Sequence, residues 1–202
     1  CKDTKYTTSK KRTALTMLSS PNMASRYIGW QQLNKVGAKA EGTLGELWKG
    51  DHQRLRARAL HLLARIKGLE KKYIDAALKD ANPDIRITGL RIARERGFDV
   101  IPLVKQLVSD PSAAVRRECA IALRHNTSPA APALWAKLAQ QHDGADRWYL
   151  EALGLALDRQ QDKFFSAWLE AVGSNWDTPV GRDIVWRSRA PVVLTTAARR
   201  SL

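Results

Sequence analysis

One phrase occurs twice, thirty residues apart, and it constrains this 202-residue chain more than any composition value does. Asp80-Ala81-Asn82-Pro83-Asp84-Ile85-Arg86 and Asp110-Pro111-Ser112-Ala113-Ala114-Val115-Arg116 each open a helix-like run, Ile85 to Glu95 and Val115 to Arg124. Self-similarity at a period of this size marks a stacked array, in which a helical pair buries its apolar face only against its neighbours.

Aligning the second helix of each unit extends the pattern. Leu55, Ile85 and Val115 form a first column; Ala59, Gly89 and Cys119 follow four residues later, then Leu62, Ile92 and Ala122, then Leu63, Ala93 and Leu123. Offsets of 0, 4, 7 and 8 trace one stripe along a helix. The offset-four column is uniformly small, as required where two helices approach closely. Trp148, Ala152, Leu155 and Ala156 continue the stripe after a spacing of 33, and Met23, Tyr27 and Trp30 anticipate it after 32. The first helices repeat as well: Leu44 and Trp48, Ile74 and Leu78, Val104 and Val108, Leu134 and Leu138, with a further unit opening at Phe164, Phe165, Trp168 and Leu169.

Ser20-Pro21 reads as a helix start, Ser as N-cap and Pro at the first helical position, and that helix stops at Gly37. Thr178-Pro179 gives the same signal for the last second helix. Asn82-Pro83, Asp110-Pro111 and Ser128-Pro129 mark short turns. No segment alternates with period two over a useful length, so no sheet is expected. The prediction is an all-α, right-handed α-α superhelix of about five to six helical pairs. Residues 1–20 form a basic lead-in and first helix, 21–172 the repeats, and 173–202 a C-terminal cap or the start of a linker.

Asp80, Asp110 and Asp143 are placed in the turn between the two helices of a unit, and Arg86 and Arg116 follow the first two by six residues. Such an Asp can cap the incoming helix and pair with an Arg of its own or a neighbouring repeat. Asp80, Arg86, Asp110 and Arg116 therefore read as a structural ladder that keeps the repeats in register. Gly50 interrupts the Asp column and Tyr149 the Arg column.

The net charge of +14 favours polyanionic partners: nucleic acid, an anionic membrane or an acidic protein surface. Second helices line the inner face of stacked pairs, and Arg58, His61, Arg91, Arg94, Arg124 and His125 lie off the core stripe, forming a candidate basic groove. The competing reading is a solvated face with intrahelical pairs such as Arg91 with Glu95. Trp176 and Trp186 lie where the repeat weakens; with Arg187 and Arg189 they are candidates for closing the stack or docking a following module. Trp148 and Trp168, on apolar stripes, are assigned to packing.

Catalytic signals are missing from the sequence. His52, His61, His125 and His142 lie in different units without metal-ligand spacing and read as surface or turn residues. Cys119 shares the small column with Ala59 and Gly89 and reads as a buried filler. Cys1 and Cys119 make no disulfide framework. No glycine-rich phosphate loop, triad or carboxylate pair stands out, and no cofactor site is assigned. No apolar run is long enough to span a bilayer. The chain has no initiator Met and reads as a piece of a longer or processed polypeptide, with Cys1 a boundary rather than a lipidated residue.

The Asp…Val-Arg phrase with its small-residue helix resembles HEAT repeats, an armadillo-like solenoid, in particular the short bacterial kind similar to those of phycobilisome lyases. A narrower resemblance rests on Ala24-Ser25-Arg26-Tyr27-Ile28-Gly29-Trp30, Val36-Gly37-Ala38-Lys39-Ala40, Asp84-Ile85-Arg86-Ile87-Thr88-Gly89-Leu90 and Val115-Arg116-Arg117-Glu118-Cys119-Ala120-Ile121-Ala122-Leu123. Asp146-Arg147-Trp148-Tyr149-Leu150-Glu151-Ala152-Leu153 and Gly181-Arg182-Asp183-Ile184-Val185-Trp186-Arg187-Ser188-Arg189 complete it. These look like the HEAT segment of large membrane-bound, haem-carrying dehydrogenases, in which a propeller precedes the segment and a c-type cytochrome module follows.

The resemblance implies a scaffold between redox modules, periplasmic or membrane-associated, whose partners are the flanking modules or an acidic protein surface. It brings no redox chemistry to this chain, which has no Cys-x-x-Cys-His haem attachment motif. Nucleic acid remains the alternative partner, with HEAT-like DNA glycosylases as precedent and Asp143 or Asp146 beside Trp148 as the local carboxylate. A third, weaker reading is a lyase-like role on a tetrapyrrole-bearing partner.

Overall fold

The computed structural model describes residues 13–191, and every regular element among them is helical. Cys1, the basic lead-in Lys2, Lys5, Lys10, Lys11 and Arg12, and the Arg199-Arg200-Ser201-Leu202 end lie outside the described residues. Six helical pairs follow one another, in agreement with the all-α, stacked-pair expectation. The chain divides into two compact units between Ile92 and Ala93.

The first unit contains α1 (residues 13–19), α2 (Met23–Val36), a 3-10 turn (Gly37–Ala40), α3 (Glu41–Lys49), α4 (Gln53–Leu63), α5 (Glu70–Leu78) and most of α6 (Pro83–Glu95). Helix α4 packs against α2, α3 and α5. Its stripe buries Ala59, Leu62 and Leu63, while Leu55 is half-buried; on α6, Ile85, Gly89, Ile92 and Ala93 are buried. Each fully buried Leu, Ile or Val contributes about 1.5–3 kcal/mol relative to exposure. The small column is a contact surface: a Cβ on Gly89 would stand 2.8 Å from Ala77 Cβ of α5.

The start of α2 differs from expectation. Asn22, not Ser20, is the N-cap, accepting from Ala24 and Ser25 N–H, and Pro21 lies in the preceding turn. Ser20 Oγ accepts from Asn22 N–H and stabilises that turn. The core face of α2 is Gly29 and Leu33 rather than Met23, Tyr27 and Trp30; Met23 and Tyr27 are exposed and Trp30 half-buried. Gly29 sits 30 residues before Ala59, so the small column runs Gly29, Ala59, Gly89, Cys119 without a slip. A Cβ there would approach Ala14 O to 2.6 Å and Met17 Cβ to 2.8 Å. Gly37 ends α2 in a positive-φ conformation, as expected.

The second unit holds the end of α6 and α7 (Ile101–Leu107), α8 (Ala113–Ala122), α9 (Ala131–Ala139), α10 (Arg147–Ala156), α11 (Gln161–Val172), a 3-10 turn (Gly173–Trp176) and α12 (Pro179–Ser188). First helices stack on first helices, α7 on α9 and α9 on α11; second helices stack on second helices, α8 on α10 and α10 on α12. Val115, Cys119, Ala122 and Leu123 are buried, as are Phe164, Phe165 and Trp168. Trp135 is buried and donates its indole N–H to Leu153 O at 3.0 Å. Thr178 caps α12 through Gly181 N–H, with Pro179 at the first position, as the sequence signal indicates.

The register of α10 is one residue later than the expected stripe. Tyr149, Leu153, Ala156 and Leu157 are buried at offsets 0, 4, 7 and 8, whereas Trp148 is 70% exposed and Leu155 45%. The turn after α9, which carries His142, Asp143 and Gly144, is longer than its counterparts and shifts the spacing from Val115 to 34. His142 is also buried rather than on the surface, stacked on Tyr149 at 6.2 Å and 3.2 Å from Asp183 Oδ2.

Candidate interaction surface

The ladder arginines are held by the turns they follow. Arg86 Nη1 donates to Asp80 O at 2.8 Å and Ala81 O at 3.0 Å, and Arg116 Nη1 to Asp110 O at 2.7 Å and Pro111 O at 3.3 Å. Arg26 does the same with Ser20 O and Pro21 O. Arg56 donates to Trp48 O and forms an ion pair with Asp80 of the following pair. The column thus runs Arg26, Arg56, Arg86, Arg116 at the full period of thirty, and the gap at Gly50 is bridged by Arg56 reaching forward. Asp80 thus pairs with an Arg of a neighbouring repeat, as expected, but the capping differs: Asp80 accepts Asn82 N–H and Asp110 accepts Ser112 N–H, folding the turn before the helix. At the end of the column, the Arg116 guanidinium lies 5.5 Å from the Tyr149 ring.

Arg58 and Arg91 belong to the first unit; Arg94, Arg124 and His125 belong to the second. Arg58 donates to Leu18 O at 2.7 Å, and burial, with Arg26 and Arg54 nearby, pushes its guanidinium pKa down. Arg94 faces the buried Glu118 carboxylate at 3.4 Å. Arg124 and His125 converge on Asp158 Oδ2 at 2.7 and 2.8 Å, and these hydrogen bonds, Arg124 first, hold that carboxyl below its ordinary range. Arg91 is exposed on α6, and His61 half-buried on α4. Much of this candidate basic surface is therefore engaged within the chain.

Trp186 is 69% exposed, and Trp176 is half-buried at the end of its 3-10 turn. A Cβ on Gly181 would fall 1.8 Å from Trp176 O, so α12 crosses that turn at backbone contact. Arg189 ends α12 in the left-handed region. Arg187 lies across α10, pairing with Glu151 at 2.9 Å, and a Cβ on Gly154 would meet its guanidinium carbon at 2.2 Å.

The exposed Trp148 and Leu155 border an open groove of about 980 Å³ lined by Arg117, Ile121, Arg147, Trp148, Glu151, Ala152 and Leu155 of α8 and α10. Trp148 and Leu155 are seven residues apart, two turns along one face, a separation of about 10.5 Å at 1.5 Å per residue. Asp146 caps α10 through Trp148 and Tyr149 N–H, and its other oxygen is 3.4 Å from Arg117. Asp143 accepts Ala145 and Asp146 N–H, which lower its pKa. The sequence hides this groove, because Trp148 and Leu155 fall on the apolar stripe at the expected offsets.

Cys119 is buried and its thiol is pushed up by that burial, beside Asp110 and Glu118. Among the described residues no group of His, Cys, Asp and Glu is arranged to hold a metal, and no helix is long and apolar enough to cross a membrane. Residues 70–154 match the family model of HEAT repeats and form a HEAT-repeat-like domain reaching from α5 into α10. No curated protein matches the chain.

Proposed function

We propose that this chain is a non-enzymatic interaction scaffold within a larger redox polypeptide. The observation that carries the scaffold reading is the Trp148–Leu155 surface: a bulky aromatic and an aliphatic side chain stand out of a helix whose opposite face is packed. Isolated exposed apolar residues are ordinary, but an indole beside an apolar groove with an arginine rim is the composition of a protein-contact surface. The redox context rests on the phrases from Ala24 to Trp30 and from Gly181 to Arg189, whose family places the segment between a propeller and a cytochrome. We read 21–172 as the repeat array and 173–202 as its cap or the start of a linker; Ile184 of α12, buried, and Arg187 on Glu151 support the cap.

The test is an immunoblot of the source cells with an antibody to this chain, followed by haem staining of the same band. The proposal expects a band much larger than 202 residues that stains for covalently held haem and stays with the periplasmic or membrane fraction. A band of 202-residue size with no haem would overturn the redox context.

A further inference from the structure

We infer that the α8–α10 groove is the docking site for an acidic amphipathic helix of a partner protein, an inference that rests on the scaffold reading above. The floor is apolar, from Ile121, Ala152 and Leu155, and Trp148 stands at one end. The two-turn spacing of Trp148 and Leu155 matches the anchors of a helix laid into a groove, which recur every three, four and seven residues.

The charge of the occupant follows from how the carboxylates are used. Glu151 sits between two arginines, and Arg187 takes it at 2.9 Å while Arg147 stays at 3.9 Å, beyond hydrogen-bond reach. Gly154 makes this possible, since any Cβ there would occupy the space of the Arg187 guanidinium. Arg147, with an 85% exposed side chain, is thereby left to present its charge to solvent beside Trp148. Arg117 shares Asp146 only at 3.4 Å, and Asp146 already serves as the cap of α10. The site is a positive rim on an apolar floor in a chain of net charge +14, complementary to a helix with carboxylates along one side of an apolar stripe. A phosphodiester strand suits it less well, because the floor is aliphatic and offers nothing to a polar backbone.

The test uses the whole chain and three fluorescent probes in anisotropy titrations. The first is an amphipathic helical peptide with Leu and Trp on one face and Glu on its flanks. The second carries Gln in place of each Glu, and the third is a single-stranded oligothymidylate. The inference expects the acidic peptide to bind at least tenfold more tightly than the Gln peptide. Trp148→Ala and Arg147→Glu, both at exposed positions, should each weaken it tenfold or more. Arg187→Gln should weaken it several-fold by letting Glu151 turn to Arg147, and Tyr27→Ala in the first unit should leave it unchanged.

Equal binding by wild type and the Trp148 and Arg147 variants would overturn the site but leave the scaffold reading standing. So would equal binding of the Glu and Gln peptides. Oligothymidylate binding that survives 200 mM salt and is lost in Trp148→Ala, with no peptide bound, would overturn both.

Discussion

The same substitution at two glycines separates close packing from helix propensity. Gly29 on α2 and Gly45 on α3 both lie inside helices, where glycine costs about 1 kcal/mol relative to alanine. A Cβ on Gly45 meets nothing within 4 Å, so Gly45→Ala should stabilise by roughly 0.5–1 kcal/mol. A Cβ on Gly29 would be 2.6 Å from the Ala14 carbonyl oxygen and 3.0 Å from Leu18 N, both backbone atoms of α1. No rotamer change relieves that, and the helices must separate. Overpacking of this kind costs about 1–3 kcal/mol. Because the propensity gain is common to both, the difference between the two variants isolates the packing cost at about 1–3 kcal/mol, or several degrees in Tm. Thermal melts of wild type and both variants read it directly. Equal Tm for the two variants would refute the close α1–α2 approach and, with it, the extension of the small column to Gly29.

Three further outcomes follow from the same geometry. Arg116→Lys loses the guanidinium Nη1 that donates to both Asp110 O and Pro111 O and the cation–π contact with Tyr149, and should destabilise by about 1–2 kcal/mol in urea titration. Cys119 should resist a thiol reagent in the native protein and react fully in denaturant; rapid native labelling would contradict its burial. Asp158 has a folded pKa below its unfolded value of about 3.9, so its pairing with Arg124 and His125 stabilises above that value and is lost as pH falls through the folded one. Asp158→Asn should therefore lower Tm slightly at pH 7, with the gap closing as pH falls through the folded value; a gap independent of pH would exclude the ion pair as its cause.

What was legible in the sequence was whatever repeats at thirty residues. Ile85, Val115, Gly89 and Cys119 announce their burial because each has a counterpart at the same offset. Errors arose where the period changes or a bulky residue competes with a small one. At α2, Met23, Tyr27 and Trp30 drew the stripe away from Gly29, although Gly29 and Arg26 keep the period. At α10, the longer turn through His142 and Asp143 shifted the register by one, which turned Trp148 outward and Tyr149 inward. The groove was hidden by that slip. The Arg187–Glu151 contact was hidden by distance along the chain, because ion pairs between stacked second helices leave no local pattern. Gly154 is its one local trace, and a lone glycine in a helix does not name the side chain that fills its place.

The proposed reading is that Arg58, Arg94, Arg124 and His125 are engaged within the chain and that the α8–α10 groove takes protein rather than nucleic acid. Anisotropy of labelled duplex DNA with the whole chain, at about 50 and 200 mM salt, tests it most directly, since affinity falls with salt according to the number of phosphates neutralised. The account predicts weak binding at the lower salt that vanishes at the higher, with no change in Trp148→Ala. Tight binding that persists at 200 mM and depends on Trp148 would contradict it.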